Sequence, residues 1–142
     1  MVCVKTVRFS VIFNGKLLEK FKPTRGLRQG DPLSPYLFLF VADGLSALLQ
    51  NQIEVGNIQD LKICRKAPGI SHLLFADDSL LFFNANADQA NRIKGVLKEY
   101  ERGTGQLLSP SKCSIMMGQN CSEEDANIVT TILGAGKMNQ DD

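Results

Sequence analysis

Two adjacent aspartates lie in the middle of the most apolar stretch of the chain, "HLLFADDSLLFF" at residues 72–83. Carboxylates repel each other and prefer water, so an apolar segment tolerates them only at a special position. The flanks are nearly symmetric, "HLLFA" before the pair and "SLLFF" after it. This symmetry predicts two apolar strands joined by a tight turn at Asp77 and Asp78. A hairpin tip of this kind holds both carboxylates at the end of a rigid, buried scaffold.

A carboxylate pair at a hairpin tip suits a magnesium site, because hard divalent ions take carboxylate oxygens as ligands. Two such ions about 3.5–4 Å apart can clamp an in-line phosphoryl displacement. One aspartate pair is too few for two ions, so such a site usually draws a further aspartate from a neighbouring strand. The alternative is structural, because aspartate is favoured in turns and adjacent aspartates also occur by chance.

A second signal is the segment "RGLRQGDPLSP" at residues 25–35, which precedes an apolar run. Its glycines let the backbone approach a ligand closely, and Gln29 offers both a donor and an acceptor. Arg25 and Arg28 are candidate phosphate contacts. The alternative is that this loop only connects two elements, as most glycine-rich loops before helices do.

The predicted elements mix α and β, with hairpins in place of strict βαβ alternation. Asn14 and Gly15 supply the two positive-φ positions of a type I′ turn, which predicts an N-terminal hairpin. Ser34 is a candidate N-cap, with Pro35 at the first position of a helix that is apolar at first on nearly all sides and therefore buried. Strands are also predicted at 57–64, 70–83 and 112–118. The order predicts an α+β fold in which helices pack on one face of a sheet.

Two further helices follow from periodicity and capping signals. In residues 88–103, Ile93, Val96 and Tyr100 recur at helical spacing on one face, and Gly103 is the predicted end. Residues 122–134 carry acidic side chains in the first predicted turn, where they complement the helix dipole. His72, the single histidine, shares a face with Leu74 by strand alternation and is predicted to be a structural or edge histidine.

Charge is distributed unevenly along the chain. Residues 1–30 contain seven basic residues against Glu19 alone, whereas residues 121–142 are acidic. A basic first segment is a candidate surface for phosphates, and the alternative is a solvated face. With 44% hydrophobic residues, the chain has enough apolar material for a core, which argues against intrinsic disorder.

The cysteines and apolar runs indicate the compartment. No pair of the four cysteines has C-x-x-C spacing, which argues against a zinc site. The N-terminus lacks the apolar region of a signal peptide, so we expect buried thiols in an intracellular, reducing compartment, with nucleus and cytoplasm left open. The longest apolar run, "YLFLFVA", is too short to span a bilayer, so no membrane partner is expected.

Three segments together carry a family resemblance. The segment "RGLRQGDPLSPYLF", followed by "HLLFADDS" and then by "GQLLSPSKCSIMMG", resembles the reverse transcriptase domain of non-LTR (LINE-type) retrotransposons, particularly plant ones. The resemblance covers about residues 3–118. It implies an incomplete palm-type antiparallel sheet, with fingers elements, of a right-handed polymerase. Residues 1–118 would be palm and fingers, and 119–142 a C-terminal helix and tail running toward a thumb.

The resemblance implies the chemistry of RNA-directed DNA synthesis. A primer 3′-hydroxyl would attack a deoxynucleoside triphosphate on an RNA template, with pyrophosphate released at a two-ion Mg²⁺ site. Asp77 would be the main Mg²⁺ ligand, and Asp78 would support it. Lys112 falls where the family has a lysine thought to protonate the leaving pyrophosphate.

The remaining implied residues contact nucleotide or template. Gln29 and Gly30 fall in the loop that lines the incoming nucleotide and the template base, and Arg25 and Arg28 flank them. Phe75 takes the aromatic position two residues before the aspartate pair.

Departures from the family pattern limit the expected activity. The family carries an earlier aspartate in a segment like F-x-x-x-D-x-x-K-A-[FY]-D, and nothing like it occurs in this sequence. Ser109 stands where asparagine is usual, and Cys113 where serine is common. We therefore expect a fragment that does not polymerise alone and that self-associates through an exposed sheet edge. The alternatives are a non-catalytic nucleic-acid-binding remnant of the palm and a different Mg²⁺ phosphoryl-transfer enzyme.

Overall fold

The structure, a computed structural model, describes residues 6–24, 30–76 and 78–138. The chain divides into two compact units, Met1–Leu39 and Phe40–Asp142. The described residues form six short strands and three α-helices, which confirms the predicted α+β class. The strands are β1 (Ile12–Phe13), β2 (Lys16–Leu17), β3 (His72–Phe75), β4 (Asp78–Leu81), β5 (Ser114–Ile115) and β6 (Gly136–Lys137). The helices are α1 (Ser34–Glu54), α2 (Ala87–Thr104) and α3 (Glu123–Leu133).

The N-terminal hairpin forms as its turn sequence predicts. Asn14 and Gly15 have φ values of 48° and 75°, which the type I′ turn between β1 and β2 requires. Phe9 and Phe21 extend the pairing by a bridge, and their ring centroids lie 6.0 Å apart. The apolar side chains of β1 and the apolar residue of β2, Leu17, are exposed.

Helix α1 begins one residue away from the predicted position. Ser34 is its first residue, and the Leu33 carbonyl already accepts the first intrahelical bond from Leu37. The Asp31 carboxylate accepts from the Leu33 amide at 2.9 Å, an Asx turn that fixes the entry of the chain. The expectation that the first turns are buried was wrong: Phe40, for example, is 75% exposed. Apolar composition alone does not supply the layer that buries a helix.

The β3–β4 hairpin is amphipathic across its two faces. Leu74 and Leu81 pack on a cluster of buried residues that joins α1 and α2. Leu73 and Leu80, a cross-strand pair on the opposite face, are exposed. Helices therefore cover one face of this hairpin, as predicted. The buried cluster consists of Leu45, Leu49, Ile58, Ile93 and Val96.

Helix α2 buries the face that its periodicity predicts. Ile93 and Val96 are buried, and Tyr100 packs against the cluster beside them. The Asn86 side chain caps the N-terminus by accepting from the Gln89 amide. The predicted end at Gly103 was wrong by two residues, because Gly105, with φ 73°, supplies the left-handed C-cap.

The C-terminal part of the second unit pairs and packs with earlier elements. Strand β6 pairs in parallel with β5, and α3 packs against α2. Ser122 caps α3 by accepting from the Asp125 amide. The strand predicted at 57–64 is reduced to a single bridge between Leu61 and Ile70. The predicted boundary after residue 118 stays a prediction.

Candidate functional site

Asp78, the second residue of the aspartate pair, lies at the end of the β3–β4 hairpin. Strand β3 ends at Phe75 and β4 begins at Asp78, so two positions connect them. Ala76 has φ 50°, in the left-handed region. Asp77 lies outside the described residues. Asp78 was predicted to lie in the turn, and this was wrong by one position, because Asp78 is the first residue of β4 and pairs with Phe75.

The register determines which face carries the Asp78 carboxylate. Directly paired residues on antiparallel strands point to the same face, so Asp78 shares its face with Phe75. Both side chains are exposed, and the Phe75 side chain is 81% exposed. An exposed carboxylate offers the oxygen ligands that Mg²⁺ takes. The described residues contain no group of three or more His, Cys, Asp or Glu side chains able to hold a metal ion.

The base of the hairpin is held by a histidine between two serines. His72 Nε2 lies 3.0 Å from Ser46 Oγ on α1, and His72 Nδ1 lies 2.8 Å from Ser71 Oγ. The Phe82 amide donates to the Ser71 carbonyl at 2.7 Å and extends the strand pairing by one step. The structural role predicted for His72 is confirmed, with Ser46 as a partner that the sequence did not identify.

A polar network fixes the exit of β4, and the sequence analysis missed it. The buried Gln89 side chain on α2 accepts from the Asn84 amide at 3.0 Å and from the Gln59 amide at 3.3 Å. The Asn84 side-chain amide donates to the Gln59 side chain. Gln59 lies 25 positions before Asn84 and 30 before Gln89, so no local pattern brings it to them. The one available signal was Gln89 in the first turn of an otherwise apolar helix face.

The glycine-containing loop before α1 is described only at its end. Arg25, Arg28 and Gln29 lie outside the described residues. Gly30 has φ 77°, a left-handed conformation that favours glycine, and Asp31 follows it with the capping contact to Leu33. The predicted contacts of this loop with nucleotide and template stay predictions.

Lys112 closes a short 3₁₀ helix, Pro110–Lys112, and Cys113 separates this helix from β5. Its amide donates to the Ser109 carbonyl at 2.9 Å, and its side chain is exposed. The side chain is thus accessible to a ligand, and its role as a proton donor stays a prediction.

Residues 2–135 match the family described as reverse transcriptase (RNA-dependent DNA polymerase). The chain belongs to this family. A type-1 R2 retrotransposable element Pol polyprotein from Popillia japonica is 33% identical over 105 residues, 74% of this chain. The corresponding type-2 R2DM polyprotein from Drosophila melanogaster is 46% identical over 66 residues, 45% of this chain. The predicted assignment to the non-LTR reverse transcriptases is thereby confirmed.

An uncharacterized mitochondrial protein of Arabidopsis thaliana, AtMg01250, is 47% identical over 68 residues, which is 48% of this chain. This reverse transcriptase chain covers 56% of the Arabidopsis protein, 16% of the Popillia polyprotein and 5% of the Drosophila polyprotein. No solved structure matches it. None of the helices in residues 6–24, 30–76 and 78–138 is long and apolar enough to cross a membrane.

Proposed function

We propose that this chain contributes the aspartate-pair hairpin of a reverse transcriptase palm to Mg²⁺-dependent, RNA-directed DNA synthesis. The observation that carries the proposal is the β3–β4 hairpin itself. Its strands pack on the core through Leu74 and Leu81, and Asp78 lies at its exposed end. This arrangement supports a rigid mount for two adjacent carboxylates, and rigid mounting is what a catalytic metal site requires.

The proposed roles divide among a few side chains. Asp77 and Asp78 would hold the metal ion, which would neutralise charge on the triphosphate and activate the primer hydroxyl. Gln29 and Gly30 would orient the nucleotide against the template base, with Arg25 near phosphate. The exposed Lys112 ammonium would supply a proton to the leaving pyrophosphate.

The carboxylates of this polypeptide would form only one half of a two-ion site. Two ions need more ligands than one aspartate pair supplies, and the described residues offer no cluster to complete the set. We therefore propose that the 142-residue polypeptide alone does not extend a primer. A polypeptide that also carries the family's earlier aspartate segment would be required.

Calorimetric titration with Mn²⁺, which like Mg²⁺ takes octahedral oxygen ligands, tests the proposed metal ligands. Removing a group that only hydrogen-bonds to a metal ligand typically weakens metal binding by about tenfold or more. Removing a ligand itself should weaken it at least as much, so Asp77→Ala should lower the Mn²⁺ affinity about tenfold or more. The matched control is Glu124→Ala in the acidic first turn of α3, which should leave this site intact. Equal affinity for wild type and Asp77→Ala would reject the assignment.

A nucleic-acid-binding role without catalysis is favoured by the charge of the first unit. Described residues 6–24 contain four exposed cationic side chains and a single acidic one, Glu19. A cationic surface of this size would contact phosphates, with affinity that falls as salt rises. The four cations are Arg8, Lys16, Lys20 and Lys22.

Neutralising three of these lysines should reduce the salt dependence of binding to single-stranded RNA. Each lost phosphate contact lowers the slope of log K against log salt by about 0.7, so Lys16→Gln, Lys20→Gln and Lys22→Gln together should lower it by about 2. Fluorescence anisotropy with a labelled oligonucleotide measures the slope. Replacing the exposed Lys62, Arg65 and Lys66 with glutamine removes the same charge elsewhere and should change the slope less. Equal effects of the two triple variants would count against a specific surface on the hairpin.

We also propose that the polypeptide self-associates in isolation. Large apolar side chains are exposed on α1 and on one face of the β3–β4 hairpin, including Tyr36, Phe40, Leu73 and Leu80. The cross-strand pair of Leu73 and Leu80 presents adjacent apolar surface to solvent, and such surface favours association.

A further inference from the structure

His72 is bonded at both nitrogens of its imidazole ring. In the neutral ring one nitrogen donates to a serine hydroxyl, and the other accepts from the second serine. The ring therefore satisfies Ser71, which is buried, and Ser46, which lies on α1. This arrangement fixes the ring orientation, since rotation about χ2 would break both contacts.

The bond from His72 to Ser46 joins strand β3 to helix α1, and β3 leads along the chain to the aspartate pair. His72 is the first residue of β3, and its cross-strand partner is Leu81, the last residue of β4. Thus the bond acts at the open end of the hairpin, opposite the end that carries Asp78. Four register pairs link the base of the hairpin to its tip, so the orientation of the base constrains the orientation of the tip.

Apolar packing alone would leave this orientation loosely specified. The contacts of Leu74 and Leu81 with the core are non-directional and tolerate small rotations. A two-stranded hairpin is at best marginally stable by itself, and the Leu73 face of this one is exposed. A hydrogen bond adds a directional restraint, because its strength falls steeply with angle. Metal ligands need placement within about 0.5 Å, which apolar contacts of this kind do not ensure.

We propose that His72 and Ser46 are positioning residues: their hydrogen bond fixes the β3–β4 hairpin against α1 and thereby orients the aspartate pair. The catalytic part of this inference rests on the proposed function, because the end of the hairpin that the bond orients is the proposed metal-binding end. The restraint itself is a property of the second unit and is measured without any metal.

Amide hydrogen exchange in the full 142-residue chain tests the restraint. Loss of one neutral hydrogen bond corresponds to about a fivefold change in a local opening equilibrium. Ser46→Ala should accelerate exchange at the Phe82 amide about fivefold, and His72→Phe, which also removes the contact with Ser71, should do so by at least as much. The Ile93 amide of α2 should be unchanged in both. The double variant should be no faster than His72→Phe alone, because that substitution already removes the bond to Ser46.

Ser46→Thr keeps the hydroxyl and should restore protection, which separates the hydrogen bond from side-chain volume. Thr130→Val, which removes a hydroxyl from α3, is the matched control and should leave Phe82 unchanged. If His72→Phe does not fold, the Ala and Thr variants at Ser46 still decide the matter. Equal acceleration at Phe82 and Ile93, or no change in Ser46→Ala, would overturn the proposal.

The affinity for Mn²⁺ tests the orienting role, because loss of a hydrogen bond that only stabilises the fold would leave this affinity unchanged. With the fold intact, Ser46→Ala should weaken Mn²⁺ binding about threefold. This is less than the roughly tenfold or more expected for a partner that touches a metal ligand, because Ser46 acts from the opposite end of the hairpin. Unchanged affinity would overturn the orienting role. If wild type itself binds no Mn²⁺, the proposed metal site fails, whereas the exchange data still decide whether His72 and Ser46 fix the hairpin.

Discussion

Replacing Ile93 with alanine is expected to lower the free energy of unfolding by about 3 kcal/mol, within the range for buried isoleucines. Ile93 is 1% exposed and lies in the buried cluster beneath the β3–β4 hairpin. The substitution removes three carbons and leaves a cavity that helices α1 and α2 can close only partly. Urea unfolding followed by circular dichroism measures the loss.

The same chemical change at an exposed position provides the control. Ile63 is 77% exposed, so Ile63→Ala should change the free energy of unfolding by less than about 0.5 kcal/mol. If Ile93→Ala is too unstable to purify, Ile93→Val should cost about 1 kcal/mol. Similar losses at Ile63 and Ile93 would mean that the core does not lie where the structure has it.

The second large effect is a complete absence of activity. The purified 142-residue chain is expected to extend no DNA primer on an RNA template with Mg²⁺ and all four deoxynucleoside triphosphates. The physical reason is that one aspartate pair cannot hold the two ions that clamp the transferring phosphoryl group. Gel-resolved extension of a labelled primer is the measurement.

A complete reverse transcriptase on the same primer–template serves as the positive control for that assay. Extension by the chain that requires Mg²⁺ and disappears in Asp77→Ala would contradict the expectation of inactivity. Extension that persists in Asp77→Ala would point to a contaminating polymerase, and the experiment would be repeated with protein free of it.

Features set by neighbouring residues were predictable from the sequence. The adjacent residues Asn14 and Gly15 are by themselves enough to specify the tight turn, so the first hairpin could be located directly from the sequence. The helix α2 face of Ile93 and Val96 followed from the 3.6-residue period. The symmetric flanks of the aspartate pair likewise located β3 and β4, with an error of one position at Asp78.

Features set by distant partners could not be predicted in this way. The run "YLFLF" indicated a buried helix, yet burial depends on whether another layer covers it, and Phe40 is exposed. The contact between His72 and Ser46 joins positions 26 residues apart, and nothing local marks Ser46 as the partner. The network around Gln89 is of the same kind. Polar contacts at this range follow from the fold, so they become visible only with the structure.

The central claim is that the end of the β3–β4 hairpin binds a divalent metal ion, and NMR with Mn²⁺ tests it most directly. Bound Mn²⁺ broadens nearby amide signals, so the broadening locates the ion within the chain. Substoichiometric Mn²⁺ is expected to broaden the amides of Ala76 and Asp78 first, and Asp77→Ala is expected to abolish this effect. Broadening centred on the acidic start of α3 at Glu123–Asp125, with the hairpin amides unaffected, would contradict it.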